Sequence, residues 1–205
     1  MPPLDIRSDR RSEHMNEIKF HGRGGQGVVM AAQMLGLAFF KANMYPQCYS
    51  VFGGERRGAP VMSFLRVDRE RILLKCDIKH PNELLYFDAS LVNPGEIKSL
   101  MAPGSKILLN TGQPESAFEE LSGFALGVID ATAIAESTGL GHVINTTVLG
   151  AYCRFTGHFP LEYLMEAVRE MVPAKIETNI EAVRKGYDHL KIGGAGLQDD
   201  HSKMS

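Results

Sequence analysis

Gly22, Gly24 and Gly27 fall in a GxGxxG pattern within "FHGRGGQGVVMAAQML", residues 20–35. Each glycine has a use in phosphate chemistry. One permits a tight turn, one lets an anion approach the backbone, and one lets a helix pack close to a sheet. A helix starting at such a loop presents unpaired N–H groups and the positive end of its dipole, both suited to a phosphate. The candidate ligand-binding residues here are Gly22, Arg23, Gly24, Gly25, Gln26, Gly27 and Val28. Arg23 is placed either to add charge or to face a neighbouring chain. Tight packing alone is the competing explanation for so much bare backbone.

A dinucleotide fold next calls for an acidic residue about 20 positions on, to hold a ribose hydroxyl. The chain offers "FGGERRGAP", where Glu55 is followed at once by Arg56 and Arg57. Two adjacent guanidiniums suit a phosphomonoester better than a bare ribose, because the planar fork binds phosphate oxygens in pairs. A solvated pair, or pairing with a partner chain, is the plainer alternative. The third element is "GHVINTTVLG", residues 141–150. Its Asn145, Thr146 and Thr147 are expected to stand at a helix start by the carboxyl edge of a sheet, where their side chains can cap the helix and still offer hydrogen bonds to a ligand. Capping alone would also account for them.

Other chemistry finds little support. His21 and His142 stand near the two loops, but a lone histidine is usually an ordinary surface residue. Asp130 has no triad partners, and Ser50 and Ser63 lie in no GxSxG elbow. Met30 and Met34 read as core filler, and Cys48, Cys76 and Cys153 as buried free thiols. Three cysteines so far apart form neither a disulfide framework nor a CxxC metal pair. A formal net charge of −2 over 205 residues speaks against a nucleic-acid or membrane-surface partner. No run approaches the ~20 apolar residues of a membrane span, and the first 17 residues lack the apolar stretch of a secretory signal. A cytoplasmic location is expected.

The elements that must position these residues follow from periodicity and punctuation. "EIKFHG" reads as a first strand, and "GQGVVMAAQMLGLAFFKAN" as a helix with Val28, Ala31, Ala32, Leu35 and Phe39 on its buried face. "QCYSVF" and "GAPVMSFLRVD" are further strands, the latter with "RILLKC" as its hairpin partner. "PNELLYFDASLV" reads as a short helix leading into a strand, "SKILLNTG" as a strand, and "FALGVIDATAIAEST" as a strand and helix. "INTTVLGAYCRFTG", "PLEYLMEAVREMV" and "AKIETNIEAVRKGYDHL" are helices, the second with Pro160 near its first turn. Alternating strands and helices predict one α/β domain, an open and mostly parallel Rossmann-like sheet with helices on both faces. Its expected span is 16–191, between a disordered tail (1–15) and a flexible one (192–205).

"GRGGQGVVMAAQMLG" followed by "YSVFGGERRGAPVMSFLRV" closely resembles the gamma subunit of the 2-oxoacid:ferredoxin oxidoreductases, the pyruvate/ketoisovalerate oxidoreductase catalytic domain. "GLGHVINTTVLGAYCRFTG" and "KIETNIEAVRKGYDHL" resemble the same family's second half, so the similarity runs from about Asn16 to Leu190. The paired signatures are far more specific than a lone glycine motif. The resemblance implies a subunit of a multi-chain enzyme that oxidatively decarboxylates a 2-oxoacid to an acyl-CoA. It implies thiamine diphosphate with magnesium between alpha and beta chains, and 4Fe-4S clusters in the beta chain and a ferredoxin-like delta chain. Ferredoxin or another acceptor would take the electrons. The gamma domain would help bind coenzyme A and close the active site, with contacts at Gly24 to Val28, at Arg56 and Arg57, and at Asn145 and Thr146. Which 2-oxoacid is used (pyruvate, branched-chain, 2-oxoglutarate or an aromatic one such as phenylglyoxylate) stays open. An NADP-dependent oxidoreductase, which would also favour arginines after the second strand, and a purely structural subunit are the alternatives.

Overall fold

The computed structural model describes residues 15–52 and 59–193. Strand β1 (Asn16–Arg23) alternates Ile18 and Phe20, both buried, with Lys19 and His21 on the other side. It runs through the glycine turn into helix α1 (Val28–Lys41). Strand β2 (Tyr45–Phe52) and strand β3 (Pro60–Asp68) then form an antiparallel hairpin. Strands β4 (Glu83–Tyr86), β5 (Lys106–Asn110) and β6 (Ala125–Ile129) follow, with helix α2 (Pro94–Leu100) before β5. After β6 come α3 (Ala131–Ser137), α4 (Asn145–Thr156), α5 (Leu161–Met171), α6 (Ile176–His189) and β7 (Lys191–Gly193).

The sheet order is β2-β3-β1-β4-β5-β6-β7. Strands β1, β4, β5 and β6 are parallel neighbours, while β3 and β7 run against theirs. The short four- and five-residue strands β4 to β6 are apolar on both faces, as parallel strands sandwiched between helices must be. On one face Ile18, Phe20, Leu65, Leu85 and Leu108 meet α1 and α3 to α6. On the other, Leu84, Tyr86, Ile107 and Leu109 meet Ile97 of α2 and the 3-10 turns that follow β4 and β5. Helices therefore do lie on both faces, most of them on one.

Two features of the topology position the site. From β1 the chain crosses through α1 to β2 at one end of the sheet, whereas from β4 it crosses through α2 to β5 in the opposite direction. The crevice between the carboxyl ends of β1 and β4 is thus the switch point, where ligands of open α/β sheets bind. The other is the β2–β3 hairpin. Phe52 pairs with Val61 and Arg23 with Pro60, so β2 ends, and β3 begins, at the edge where the glycine turn sits.

Several expected elements differ. The hairpin partner of β3 is β2; "RILLKC" forms no strand. It crosses the sheet face instead, where the Leu74 carbonyl accepts from Gln47 and the Ile78 amide donates to the Tyr49 hydroxyl at 2.8 Å. In "PNELLYFDASLV" the order is reversed: strand first, then a 3-10 turn over Ala89–Leu91. Good helix formers lost there to burial on two faces. Lys191–Gly193, expected to straddle the start of the tail, adds an edge strand on β6. Met34 is buried as expected, but Met30 is exposed; Cys153 is buried, whereas Cys48 and Cys76 are exposed. The tail expectations for 1–14 and 194–205 lie outside the described residues.

Candidate phosphate-binding site at the sheet switch point

The glycine motif forms a turn closed by the Gln26 amide donating to the Arg23 carbonyl at 3.1 Å. Gly25 has φ +101° and Gly27 φ +77°, values that L residues avoid. Gly22 serves packing instead, since a β-carbon there would fall 2.5 Å from Val28 Cγ2 and 2.9 Å from Phe87 Cβ. Gly24 donates its amide to the Ala59 carbonyl at 3.0 Å. Gln26 stitches the turn from inside: its Oε1 accepts from the Arg23 amide at 2.7 Å, and its Nε2 donates to the Phe87 carbonyl at 3.2 Å. The first intrahelical bond of α1 is Ala31 N–H to the Gly27 carbonyl. Among the described residues, the amides of Gly25, Gly27, Val28, Val29 and Met30 therefore have no acceptor.

A second helix end meets the first. Asn145 and Thr146 are the opening residues of α4 rather than its cap, which is Ile144 and carries no capping side chain. Asn145 lies against Gly27, so close that a β-carbon on Gly27 would sit 2.7 Å from Asn145 Nδ2. Asn145 is 3% exposed and its Oδ1 accepts from the Thr146 amide at 2.9 Å; its Nδ2 has no partner among the described residues. Neither α1 nor α4 has a side-chain cap or an acidic residue in its first turn. Two positive helix ends thus stand side by side with no acidic residue in either first turn. An external anion would be stabilised by both.

Thr146 is fully buried and donates its hydroxyl to Asn179 Oδ1 at 3.1 Å, bracing α6. Arg23 points back across the switch point, its Nε donating to Asp88 Oδ2 at 2.6 Å and its Nη2 to Ser90 Oγ at 3.1 Å. Burial raises the Asp88 carboxyl, but hydrogen bonds from Ser90 and Arg23 outweigh it and hold the group below its ordinary range. Asp88 and Ser90 were not foreseen. The signal was the Asp-Ala-Ser spacing of an Asx turn just past a strand, hidden by reading that segment as a helix. Arg56 and Arg57, with Glu55, lie outside the described residues. The flanking Phe52 and Ala59 do not, and Ala59 is bonded to Gly24.

The remaining candidates resolve simply. His21 is in β1, not a loop, stacked on Tyr86 with ring centroids 4.6 Å apart. Burial, helped by the nearby Lys19 charge, lowers its pKa to about 3, so it is neutral at pH 7. His142 is exposed. Asp130 caps α3 by accepting from the Ala133 amide, and the Ser50 and Ser63 hydroxyls bond to each other at 2.8 Å. Among the described residues no three His, Cys, Asp or Glu side chains gather into a metal-binding group. Nor is any described helix long and apolar enough to cross a membrane.

Residues 17–189 match the family described as pyruvate ferredoxin/flavodoxin oxidoreductase. The chain belongs to that family. Over 181 residues it is 37% identical to "Pyruvate synthase subunit PorC" of Methanothermobacter marburgensis, covering 88% of this chain and 100% of that one. It is 38% identical over 183 residues to "Pyruvate/ketoisovalerate oxidoreductases common subunit gamma" of Thermococcus kodakarensis, covering 87% and 98%. These relatives are single subunits matched almost end to end, so this family member is an oxidoreductase subunit. The crystal structure of the pyruvate oxidoreductase subunit PORC from Thermotoga maritima superposes with a TM-score of 0.76 at 32% identity, covering 88% of this chain and 99% of that one. At 19% identity and TM-score 0.72, the same fold makes up 31% of a chain of 2-oxoglutarate:ferredoxin oxidoreductase from Magnetococcus marinus, solved with 2-oxoglutarate, coenzyme A and succinyl-CoA.

Proposed function

We propose that this chain is the gamma subunit of a 2-oxoacid:ferredoxin oxidoreductase and holds the phosphate-bearing end of coenzyme A at the switch point. One observation carries the reading: five amides without an acceptor among the described residues, Gly25 and Gly27 to Met30, meet the side chain of Asn145 where two uncapped helices converge. Arg56 and Arg57 complete the site in this reading. The hairpin supports it, because the residues flanking that pair leave and re-enter the sheet at the same edge. Thr146 contributes by holding the first turn of α4 on α6 rather than by touching ligand. The thiamine diphosphate, magnesium and 4Fe-4S clusters belong to alpha, beta and delta partner chains. Three cysteines fall short of the four that such a cluster takes.

In this division of labour the partners form the acyl group on thiamine and pass electrons to ferredoxin. This chain orients the coenzyme A that accepts the acyl group and closes the site around it. Binding is electrostatic and main-chain, so it excludes no particular 2-oxoacid. The test uses the intact complex with saturating 2-oxoacid. Asn145→Ala and the double change Arg56→Ala/Arg57→Ala are each expected to raise KM for coenzyme A. Each lost charged hydrogen bond is worth about 1.5–3 kcal/mol, roughly 10- to 150-fold. An unchanged KM in both would leave a structural subunit as the better account. Competition of coenzyme A binding by NADP at equal concentration would favour the dinucleotide alternative.

A further inference from the structure

We propose that Asp88 is a positioning residue for this site: its carboxylate fixes Arg23 and, through Arg23, the turn whose amides receive the ligand. The inference rests on the reading of the loop as a coenzyme A phosphate site. Strand alternation puts Gly22 on the α1 side of the sheet, against Val28 and Phe87, and so sends the Arg23 side chain to the opposite side. The guanidinium therefore stands behind the turn, while the open amides of α1 stand in front of it. Both carboxylate oxygens of Asp88 are engaged: Oδ2 accepts from Arg23 Nε at 2.6 Å, and Oδ1 accepts from the Ser90 amide at 2.9 Å. The second bond caps the 3-10 turn over Ala89–Leu91, so the local chain orients Asp88 independently of Arg23.

Besides the Gly24 bond to Ala59, two side chains tie the turn to the chain after β4. Gln26 joins it to the Phe87 carbonyl from within, and Arg23 joins it to Asp88 and Ser90 from behind. Both braces end on the four residues that follow β4, and the Phe87 amide in turn donates to the His21 carbonyl at 2.7 Å. The two carboxyl edges that define the crevice are thereby locked to each other. Amides fixed before the ligand arrives bind it without an ordering cost. A carboxylate beside an anion site would otherwise repel the ligand; here Arg23 neutralises it at contact distance.

The experiment compares Asp88→Asn, Arg23→Gln, the double variant and Asn145→Ala in the intact complex, measuring KM and kcat for coenzyme A together with the melting temperature. Asparagine retains the cap on Ser90 and puts an NH2 donor where Oδ2 accepted from Arg23, so it removes both the charge and that hydrogen bond. Asp88→Asn and Arg23→Gln are each expected to raise KM about five- to tenfold, with the effect on KM exceeding that on kcat, and the double variant to match the larger single effect. A lowered melting temperature with unmoved KM would mean that Asp88 is only structural. Full additivity of the two changes would overturn the coupling through Arg23. If Asn145→Ala raises KM while Asp88→Asn does not, the Asp88 inference fails and the site stands. If neither moves KM, and Arg56→Ala/Arg57→Ala leaves it unmoved too, the phosphate reading fails and the inference with it.

Discussion

Gly27→Ala, set against Gly25→Ala, tests the contact on which the site is built. Both glycines have positive φ, +101° at Gly25 and +77° at Gly27, and an alanine forced there costs about 1–2 kcal/mol. Beyond that the positions part. A β-carbon at Gly25 meets nothing within 4 Å, while one at Gly27 falls 2.7, 3.0 and 3.2 Å from Nδ2, Cγ and Cβ of Asn145. Asn145 has little room to retreat, being buried and tied to the Thr146 amide. Overpacking of this kind adds about 1–3 kcal/mol, so Gly27→Ala should cost about 3 kcal/mol and Gly25→Ala about 1. Truncating Asn145 to alanine removes the two nearest atoms, Nδ2 and Cγ, and leaves only the Cβ contact at 3.2 Å. The double variant Gly27→Ala/Asn145→Ala should then be more stable than the sum of its parts by about 1–2 kcal/mol. Urea unfolding of the full-length chain, with m-values compared to confirm an unchanged unfolded state, gives all four numbers. Equal losses at Gly25 and Gly27, with additivity to within about 0.5 kcal/mol, would refute the proposed approach of α4 to the loop.

Two further outcomes follow from buried polar groups. His21 is neutral in the fold, its pKa lowered by burial and by Lys19 to about 3. The unfolded chain takes up a proton near pH 6.5, so stability falls as pH drops through the window from about 6.5 to 3. At pH 4.5 the cost is about 2–3 kcal/mol; His21→Phe, which keeps the stack on Tyr86, should lose that much less between pH 7 and 4.5 than the parent, and identical slopes would contradict the assignment. Tyr152 donates its hydroxyl to buried Glu83 Oε2 at 2.5 Å, while His158 Nε2 lies 2.6 Å from Oε1. Tyr152→Phe leaves that carboxylate oxygen unpaired and should cost about 1–3 kcal/mol; a loss under about 0.5 kcal/mol would show that water replaces the phenol.

What could be read from the sequence was whatever depends on near neighbours along the chain. The glycine loop and the buried face of α1 follow from spacing within 20 residues, and Val28, Ala31, Ala32, Leu35 and Phe39 are all buried as the periodicity requires. The family signature worked for the same reason. Strand pairing is a different matter, since it joins distant residues. Nothing local says that β3 inserts between β1 and β2, or that "RILLKC" crosses the sheet face instead of pairing. Asn145 was found by its type, yet its role as a neighbour of Gly27, 118 positions away in sequence, is a product of how α4 packs. Asp88 was lost because a four-residue apolar run preceding it suits a helix or a strand equally well. Thr146 shows the converse: the residue type fitted a ligand contact, and burial gave its hydroxyl to Asn179.

The antiparallel insertion of β3 has an architectural consequence. In a plain doubly wound sheet the chain leaving the second strand is committed to the next helix, so its length and course are tied to the packing of the whole layer. Here the stretch from Phe52 to Ala59 departs from and returns to one rim, pinned by the pairing of Phe52 with Val61 and the bond from Gly24 to Ala59. Lengthening such a stretch costs only a slowly growing closure entropy, about 0.6 kcal/mol for each doubling. The scaffold can therefore exchange the segment that joins β2 to β3 while every strand register stays where it is.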